Sequence, residues 1–155
     1  VDVILVGGAV VSIYSEGAYR SGDLDFVFND LSREKLNEVL KDIGFIQKGR
    51  FYKHPECRHL FLEFASFPAS IGEDYNIIPN EVKLEGQVIK IFSPTDCVRD
   101  RLASYAYFNA LECLDQAVLV AKKHEIDYEK VKKWCDSEKI ITKYQDFLKA
   151  MKKTV

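Results

Sequence analysis

Residues 21–28, SGDLDFVF, place two aspartates one residue apart at the start of an apolar run. Alternate side chains of a β-strand point to opposite faces, so Asp23 and Asp25 share one face, and Leu24, Phe26 and Phe28 share the other. Strand interiors usually exclude aspartate, and two carboxylates this close repel each other. The pair therefore lies either at a solvated strand edge or beside a positively charged group that sits between the carboxylates.

The length and composition are those of a globular protein. The chain has 155 residues, of which 47% are hydrophobic and 30% charged, which fits one domain or one domain with a small appendage. No apolar run approaches the roughly 20 residues that cross a bilayer, and the opening VDVILVGG lacks the basic region of a signal peptide. We expect a cytoplasmic protein without membrane contact. Because the chain begins with Val1, we also expect residues before it.

Cysteine and charge patterns give weaker signals. The four cysteines are widely spaced and form no C-x-x-C pair, so reduced and mostly buried thiols are expected. The stretch HPECRH groups His54, Cys57 and His59, but the fourth ligand of a structural zinc site is not evident, and a turn between strands is the preferred interpretation. The net charge of residues 1–121 is −6, and that of residues 122–155 is +4. Solvated lysine faces on helices explain the basic tail better than a phosphate-binding surface.

Hydrophobic periodicity divides the chain near residue 92. Before it, the pattern predicts strands, helices, a loop and a hairpin, in the order VDVILVGG (strand), AVVSIYSEG (helix), DLDFVF (strand), SREKLNEVLKDIG (helix), FIQKGRFYKH and HLFLEFAS (strands), SFPASIGEDYNIIPN (loop) and EVKLEGQVIKIFS (hairpin). From Ser93 onward only helical periodicity remains. We therefore predict an α+β fold, with a mixed sheet and flanking helices over 1–92 and a helical module over 93–155 packed on it.

A third acid lies in the later strand, between apolar neighbours. If the strand that contains Glu63 lies beside the strand of Asp23 and Asp25, three carboxylates converge on one face. Burying unpaired acids costs several kcal/mol by order of magnitude, so such a group needs cations. Hard divalent cations with oxygen ligands fit best, and Mg²⁺ typically takes a few carboxylates and completes its shell with water and phosphate. We therefore prefer a metal platform to a solvated strand edge.

Two glycines supply a second signal. Gly7 and Gly8 end the first strand and lead into a helix, where glycine lets backbone N–H groups approach a phosphate closely. The sequence contains neither G-x-x-x-x-G-K-[ST] nor G-x-G-x-x-G. Ser12 and Ser21 could add hydroxyl donors, and Arg20 could neutralise phosphate charge.

Together, LVGG, RSGDLDFVF and FLEF resemble the nucleotidyltransferase superfamily of the DNA polymerase β type. That family has a strand ending in Gly-Gly or Gly-Ser, then D-x-[DE] on the next strand, then a third acid between apolar residues. The gap of 14 residues between Gly8 and Asp23 is slightly longer than usual. The core resemblance covers about residues 3–66. SPTDCVRDRLASY extends it more weakly to about residue 121 and is similar to a small prokaryotic branch related to abortive-infection and toxin–antitoxin nucleotidyltransferases.

The resemblance implies an activity and roles for particular residues. Asp23, Asp25 and Glu63 would hold two Mg²⁺ ions, with Mn²⁺ as a substitute. The hydroxyl of an RNA end, a protein or a small molecule would attack the α-phosphorus of a nucleoside triphosphate such as ATP, and pyrophosphate would leave. The residues implied to contact the nucleotide are Gly7, Gly8, Ser12, Arg20, Ser21 and Arg99 or Arg101. For these two arginines, local helix pairing with Asp96 is an equally good interpretation.

Two other functions remain open. The first is a non-catalytic binding module of the same fold, acting as an antitoxin, scaffold or nucleotide sensor with a cognate protein partner. The presence of all three acids favours the enzyme, because clustered carboxylates destabilise a fold that binds no metal. The second is a metal-dependent phosphohydrolase, which lacks the His-rich patterns that would support it.

Overall fold

The computed structural model describes residues 2–29, 32–66 and 68–153. The strands are β1 (Asp2–Val6), β2 (Asp23–Asn29), β3 (Ile46–Lys48), β4 (Phe51–His54), β5 (Cys57–Ser66), β6 (Asn80–Leu84) and β7 (Gln87–Ile91). The helices are α1 (Gly8–Tyr14), α2 (Arg33–Asp42), α3 (Pro94–Phe108), α4 (Leu111–Lys123), α5 (Tyr128–Ser137) and α6 (Ile141–Lys153).

All seven strands form one mixed sheet in the order β3-β4-β5-β2-β1-β7-β6. The β1–β7 and β2–β5 pairs are parallel, whereas β1–β2, β3–β4, β4–β5 and β6–β7 are antiparallel. Four helices follow the last strand. The predicted α+β class, with a mixed sheet, flanking helices and a helical C-terminal part, is confirmed.

Helix starts follow the capping signals of the sequence. The Ser32 side chain accepts a hydrogen bond from the Lys35 backbone N–H at the start of α2, and Ser93 accepts one from Asp96 at the start of α3. Pro94 occupies the first turn of α3, where its missing N–H costs nothing.

The apolar face of α2 is narrower than its sequence indicates. Leu36 and Leu40 are buried, but Val39 is 43% exposed and Ile43 is 59% exposed. The helix therefore buries only Leu36 and Leu40 among its apolar residues.

The stretch FIQKGRFYKH does not form the single strand that we expected. Gly49 has φ +63°, a backbone conformation that glycine adopts at little cost, and the turn it makes with Arg50 separates β3 from β4. The two short strands pair as a hairpin, with Lys48 opposite Phe51.

Two clusters of buried residues form the core. The smaller one lies between α2 and the sheet and contains Phe28, Leu36, Leu40, Tyr52, Leu62 and Phe64. The larger one joins the sheet and α1 to the C-terminal helices, and includes Leu5, Val10, Ile91, Val98, Leu102, Ala117 and Phe147. The expected packing of the helices on the sheet is therefore present, while the domain boundary at residues 92–93 stays a prediction. Within the described ranges, no helix is long and apolar enough to cross a membrane.

Candidate functional site

The register between β2 and β5 brings the predicted acids to one face of the sheet. Asp25 lies directly opposite Glu63, and Asp23 lies opposite Phe61. Neighbours in register point the same way from a sheet, so the three carboxylates share a face. The apolar residue between the aspartates, Leu24, points to the other face.

The pKa of the Asp25 carboxyl is strongly raised. Its side chain is partly buried, and burial, then the negative charges of Glu63 and Asp23, raise the pKa of Asp25 from 3.8 to about 6. The positive charge of Arg101 offsets part of this effect. A proton or a metal cation would relieve the repulsion at Asp25.

The three carboxylates do not converge to surround a common metal position. Glu63 Oε1 lies 3.5 Å from Nε of Arg50, an exposed side chain at the β3–β4 turn. Among the residues that the structure describes, no group of three or more His, Cys, Asp or Glu side chains is placed to hold a metal ion. The acids nevertheless provide hard oxygen donors on one face, which is the donor chemistry that Mg²⁺ prefers.

The turn after β1 lies against these acids. Gly7 has φ +73° and ψ −152°, a conformation that is essentially confined to glycine. A Cβ atom at Gly7 would lie 3.0 Å from Asp25 Oδ2 and 3.7 Å from Arg101 Nη2. Gly8 is equally confined, because a Cβ there would lie 3.2 Å from the Tyr19 hydroxyl and 3.5 Å from Ser21 Oγ. Because neither glycine has a side chain, Asp25 packs closely against the backbone at Gly7, and Tyr19 packs closely against it at Gly8.

Arg101 is anchored from two helices. On α3, its Nη2 donates to Asp100 Oδ2 at 2.7 Å, and its Nη1 donates to Gln116 Oε1 of α4 at 3.2 Å and to Cys113 Sγ at 3.5 Å. Burial lowers the pKa of Arg101, but the Asp100 carboxylate more than offsets it, so the pKa is raised and the guanidinium stays charged. The structure thus places a fixed cation beside Asp25 and Gly7.

Arg99 lies elsewhere. Two residues along an α-helix correspond to about 200° of rotation, so Arg99 faces away from Arg101. Its side chain is only 1% exposed and donates to Asp96 Oδ1 and Asp74 Oδ2, each at 2.7 Å. The structure therefore does not bring Arg99 to the acids, and local ion pairing accounts for its position. A cleft of about 440 Å³ beside it, next to Trp134, contains none of the three acids.

Three predicted nucleotide contacts lie together in a second cleft of about 440 Å³. Ser12, Arg20 and Ser21 line it with other residues of the loop before β2 and with His59 and Leu60 of β5. The Ser21 backbone N–H donates to Ser12 Oγ at 3.0 Å, and Ser21 Oγ donates to the Asp23 carbonyl at 2.8 Å. These bonds hold the loop that leads into the acid pair, while Arg20 is exposed.

The HPECRH stretch is a turn, as preferred. His54 Nδ1 accepts from the Glu56 backbone N–H and its Nε2 lies 3.1 Å from the Ile43 carbonyl, so both ring nitrogens are engaged. Cys57 is an exposed free thiol, and the other three cysteines are free and buried.

Sequence reasoning missed two residues that contact the predicted site. The position of Arg50 was not predicted because strand-forming residues surround the turn that contains it. The glycine at position 49 is the sequence signal for that turn. Gln116 is a buried polar residue beside the apolar Ala117 and Val118. A buried amide needs a hydrogen-bond partner, so a glutamine next to apolar helix residues is the sequence signal for this contact.

Comparison with known proteins supports the fold. No family model matches the chain, and no curated protein matches it. The crystal structure of an antigenic nucleotidyltransferase-like protein from Paracoccidioides brasiliensis is similar, with a TM-score of 0.55 and 20% sequence identity over 77% of this chain and 66% of that one. The chain thus spans just under two thirds of that neighbour's length. At this identity the similarity shows the fold alone, and membership of the abortive-infection and toxin–antitoxin branch stays a prediction. The chain has a nucleotidyltransferase-like fold.

Proposed function

We propose that the chain is a metal-dependent nucleotidyltransferase that transfers a nucleoside monophosphate from a nucleoside triphosphate to a hydroxyl acceptor. The observation that carries the proposal is the register that places Asp25 opposite Glu63, with Asp23 on the same face. The Gly7 turn and the Arg101 guanidinium lie directly beside Asp25.

The acids would hold the metal. Asp23, Asp25 and Glu63 offer oxygen donors whose mutual repulsion a divalent cation would relieve, which suits Mg²⁺ or its substitute Mn²⁺. When bound, such ions lower the pKa of an acceptor hydroxyl and neutralise triphosphate charge. Glu63 would have to release Arg50, and an exposed ion pair of this kind contributes only about 0–1 kcal/mol. The observed pairing is therefore a small obstacle to metal binding.

The remaining contacts would position the nucleotide. Because Gly7 and Gly8 have no side chains, phosphate oxygens would approach the backbone of this turn, and Arg101 would add a fixed positive charge beside Gly7. The cleft that contains Ser12, Arg20 and Ser21 continues this surface along the loop before β2. In the reaction, the acceptor oxygen bonds to the α-phosphorus, and pyrophosphate leaves with the electron pair of the broken P–O bond. The hydroxyl proton passes to a carboxylate of the acid face or to water.

One observation favours a second candidate, a non-catalytic binding module with a cognate protein partner. In the part of the chain that is described, no three acids are placed to hold an ion together, and Glu63 is engaged by Arg50. A binding module would keep this arrangement when nucleotide and Mg²⁺ are added.

The release assay separates these functions. We would incubate the protein with Mg²⁺, each nucleoside triphosphate and a mixture of cellular RNA and protein, and measure pyrophosphate and inorganic phosphate separately. We expect pyrophosphate from the wild type and none from Asp23→Asn/Asp25→Asn. The matched control is Asp42→Asn/Asp115→Asn, which removes two exposed aspartates elsewhere. Release of inorganic phosphate alone would indicate a hydrolase, and release of neither would favour the binding module.

A further inference from the structure

The face that carries the acids continues across the hairpin strands to the edge of the sheet. Glu63 lies opposite Phe51 of β4, and Phe51 lies opposite Lys48 of β3. Since residues in register share a face, one row runs from Asp25 through Glu63 and Phe51 to Lys48. Phe51 is two strands away from Asp25, a distance of about 10 Å at the usual strand spacing.

A second row beside it repeats the pattern of ring and cation. Asp23 lies opposite Phe61, and Lys53 Nζ lies 4.3 Å from the centroid of the Phe61 ring. The Phe51 and Phe61 rings meet edge to face with centroids 5.9 Å apart, and Arg50 Cζ lies 4.9 Å from the centroid of the Phe51 ring. Both rings are only partly buried. Two adjacent aromatic rings on the acid face are thus bordered by positive charges.

The positive charge is local to this hairpin. Residues 46–61 contain four Lys and Arg against one Glu, a balance of +3, within a region 1–121 whose balance is −6. In residues 2–29, 32–66 and 68–153, no carboxylate pairs with Lys48, Lys53 or Arg58. A recess of about 280 Å³ at the outer end is lined by these three cations together with Ile46, His54 and Pro55. An anionic ligand would therefore find charges that the protein itself leaves unneutralised.

We infer that this surface binds single-stranded nucleic acid whose terminal hydroxyl is the acceptor. The inference rests on the proposed function, because it names the acceptor of the same acid site. We call the surface the aromatic–basic strip, and its residues are Lys48, Arg50, Phe51, Lys53, Arg58 and Phe61.

The chemistry of the strip fits single-stranded nucleic acid better than it fits a protein ligand. Aromatic rings stack on any base, and lysine and arginine contact successive phosphates, which is how proteins hold single strands without reading their sequence. A strand lying along the two rows would end at Asp23 and Asp25, where the reaction takes place. An acidic protein segment would use the cations but would gain nothing from the rings.

The test is fluorescence anisotropy with a 5′-labelled, mixed-sequence 12-nucleotide RNA, with DNA of the same sequence as a second probe. The strip variants are Lys48→Glu/Arg58→Glu and Phe61→Ala. The matched control is Lys132→Glu/Lys149→Glu, which makes the same charge change at exposed positions of α5 and α6. Circular dichroism establishes that each variant is folded, and Mg²⁺–triphosphate binding is measured for every protein by calorimetry.

We expect the wild type to bind the RNA with a dissociation constant that rises steeply with salt, with a log–log slope of about 3 for four phosphate contacts. The charge-reversal variant should bind at least tenfold more weakly, Phe61→Ala about five- to tenfold more weakly, and the control within twofold of wild type. Asp23→Asn/Asp25→Asn should keep RNA binding, and both strip variants should keep triphosphate binding.

Three outcomes would overturn the inference. The first is that the control variant weakens RNA binding as much as the strip variants do. The second is that the wild type binds Mg²⁺–triphosphate but neither RNA nor DNA. The third is that polyglutamate displaces the labelled RNA as effectively as unlabelled RNA does, which would point to an acidic protein partner. RNA binding without triphosphate binding would instead support the strip and count against the proposed function, so the two failures are distinguishable.

Discussion

At the scale of the residue, burial and the nearby carboxylates of Glu63 and Asp23 make the ionised form of Asp25 unfavourable in the folded protein. Its folded-state pKa of about 6 exceeds the ordinary value of 3.8, so folding favours the protonated carboxyl. The resulting stability is fully present below about pH 4 and is lost as the pH rises through 6.

Asp25→Asn should therefore stabilise the metal-free protein at pH 7.5 and have a smaller effect near pH 4. The expected gain at pH 7.5 is about 1–2 kcal/mol, after allowance for the partial exposure of the side chain. Urea unfolding of both proteins across this pH range measures it, with Asp42→Asn as the control for a general change of charge. A substitution that destabilises the protein equally at every pH would show that Asp25 is not under electrostatic strain.

Substitution of the two arginines of α3 should have different effects on stability and on triphosphate binding. Arg99→Met removes two hydrogen bonds from Asp96, which is 1% exposed, and leaves it the ion pair with Lys130, whose Nζ lies 3.5 Å from Asp96 Oδ1. A buried pair broken in this way costs about 3–5 kcal/mol. Arg101→Met leaves Asp100, which is 20% exposed and can hydrate, so it should cost about 1–2 kcal/mol. Only Arg101→Met should abolish triphosphate binding while the protein stays folded. Urea unfolding and triphosphate titration of both variants would show this, and equal losses of stability would contradict it.

At the scale of the element, the β1–α1 turn is the part that depends most on one residue type. Gly7→Ala forces an unfavourable backbone conformation and places a methyl group 3.0 Å from Asp25 Oδ2. Gly86→Ala in the β6–β7 turn is the matched control, because its φ is +79° but nothing lies within 4 Å of the added carbon. Each should cost about 1–3 kcal/mol in the free energy of unfolding. Only Gly7→Ala should also weaken Mg²⁺–triphosphate binding, by tenfold or more, in calorimetric titration. Equal triphosphate binding by the two variants would show that the β1–α1 turn is not part of the nucleotide site.

The elements also show what could be predicted from sequence. Local signals were sufficient where one residue type decides: Ser32 and Ser93 cap helices, and Glu85-Gly86 turns the β6–β7 hairpin. The β3–β4 hairpin was missed because strand-forming residues surround Gly49-Arg50. Consequently the contact between Arg50 and Glu63 could not be foreseen.

The candidate site was predictable only in part, because its geometry depends on contacts far apart in sequence. Strand periodicity places Asp23 and Asp25 on one face, but the pairing of β2 with β5 decides that Glu63 faces Asp25. Likewise, helical periodicity separates Arg99 from Arg101, but only the packing of α3 against the β1–α1 turn shows which of them reaches the acids.

At the scale of the whole molecule, the sheet and the C-terminal helices should unfold together. The larger core cluster contains residues from both, and the single tryptophan, Trp134 of α5, donates to the Ile71 carbonyl of the loop before β6 at 3.0 Å. Trp134 fluorescence and far-ultraviolet circular dichroism should therefore give coincident urea transitions. Two separate transitions would mean that the two predicted modules are independently stable.

In the function that we propose, the acid face, the Gly7 turn and Arg101 form a nucleotide site that needs a divalent cation. The most direct measurement is calorimetric titration of each nucleoside triphosphate, with and without Mg²⁺, into the wild type and into Asp23→Asn/Asp25→Asn. We predict that at least one triphosphate binds the wild type only with Mg²⁺ and does not bind the double variant. Binding that is equal in both proteins, or absent from the wild type for every triphosphate, would contradict the account.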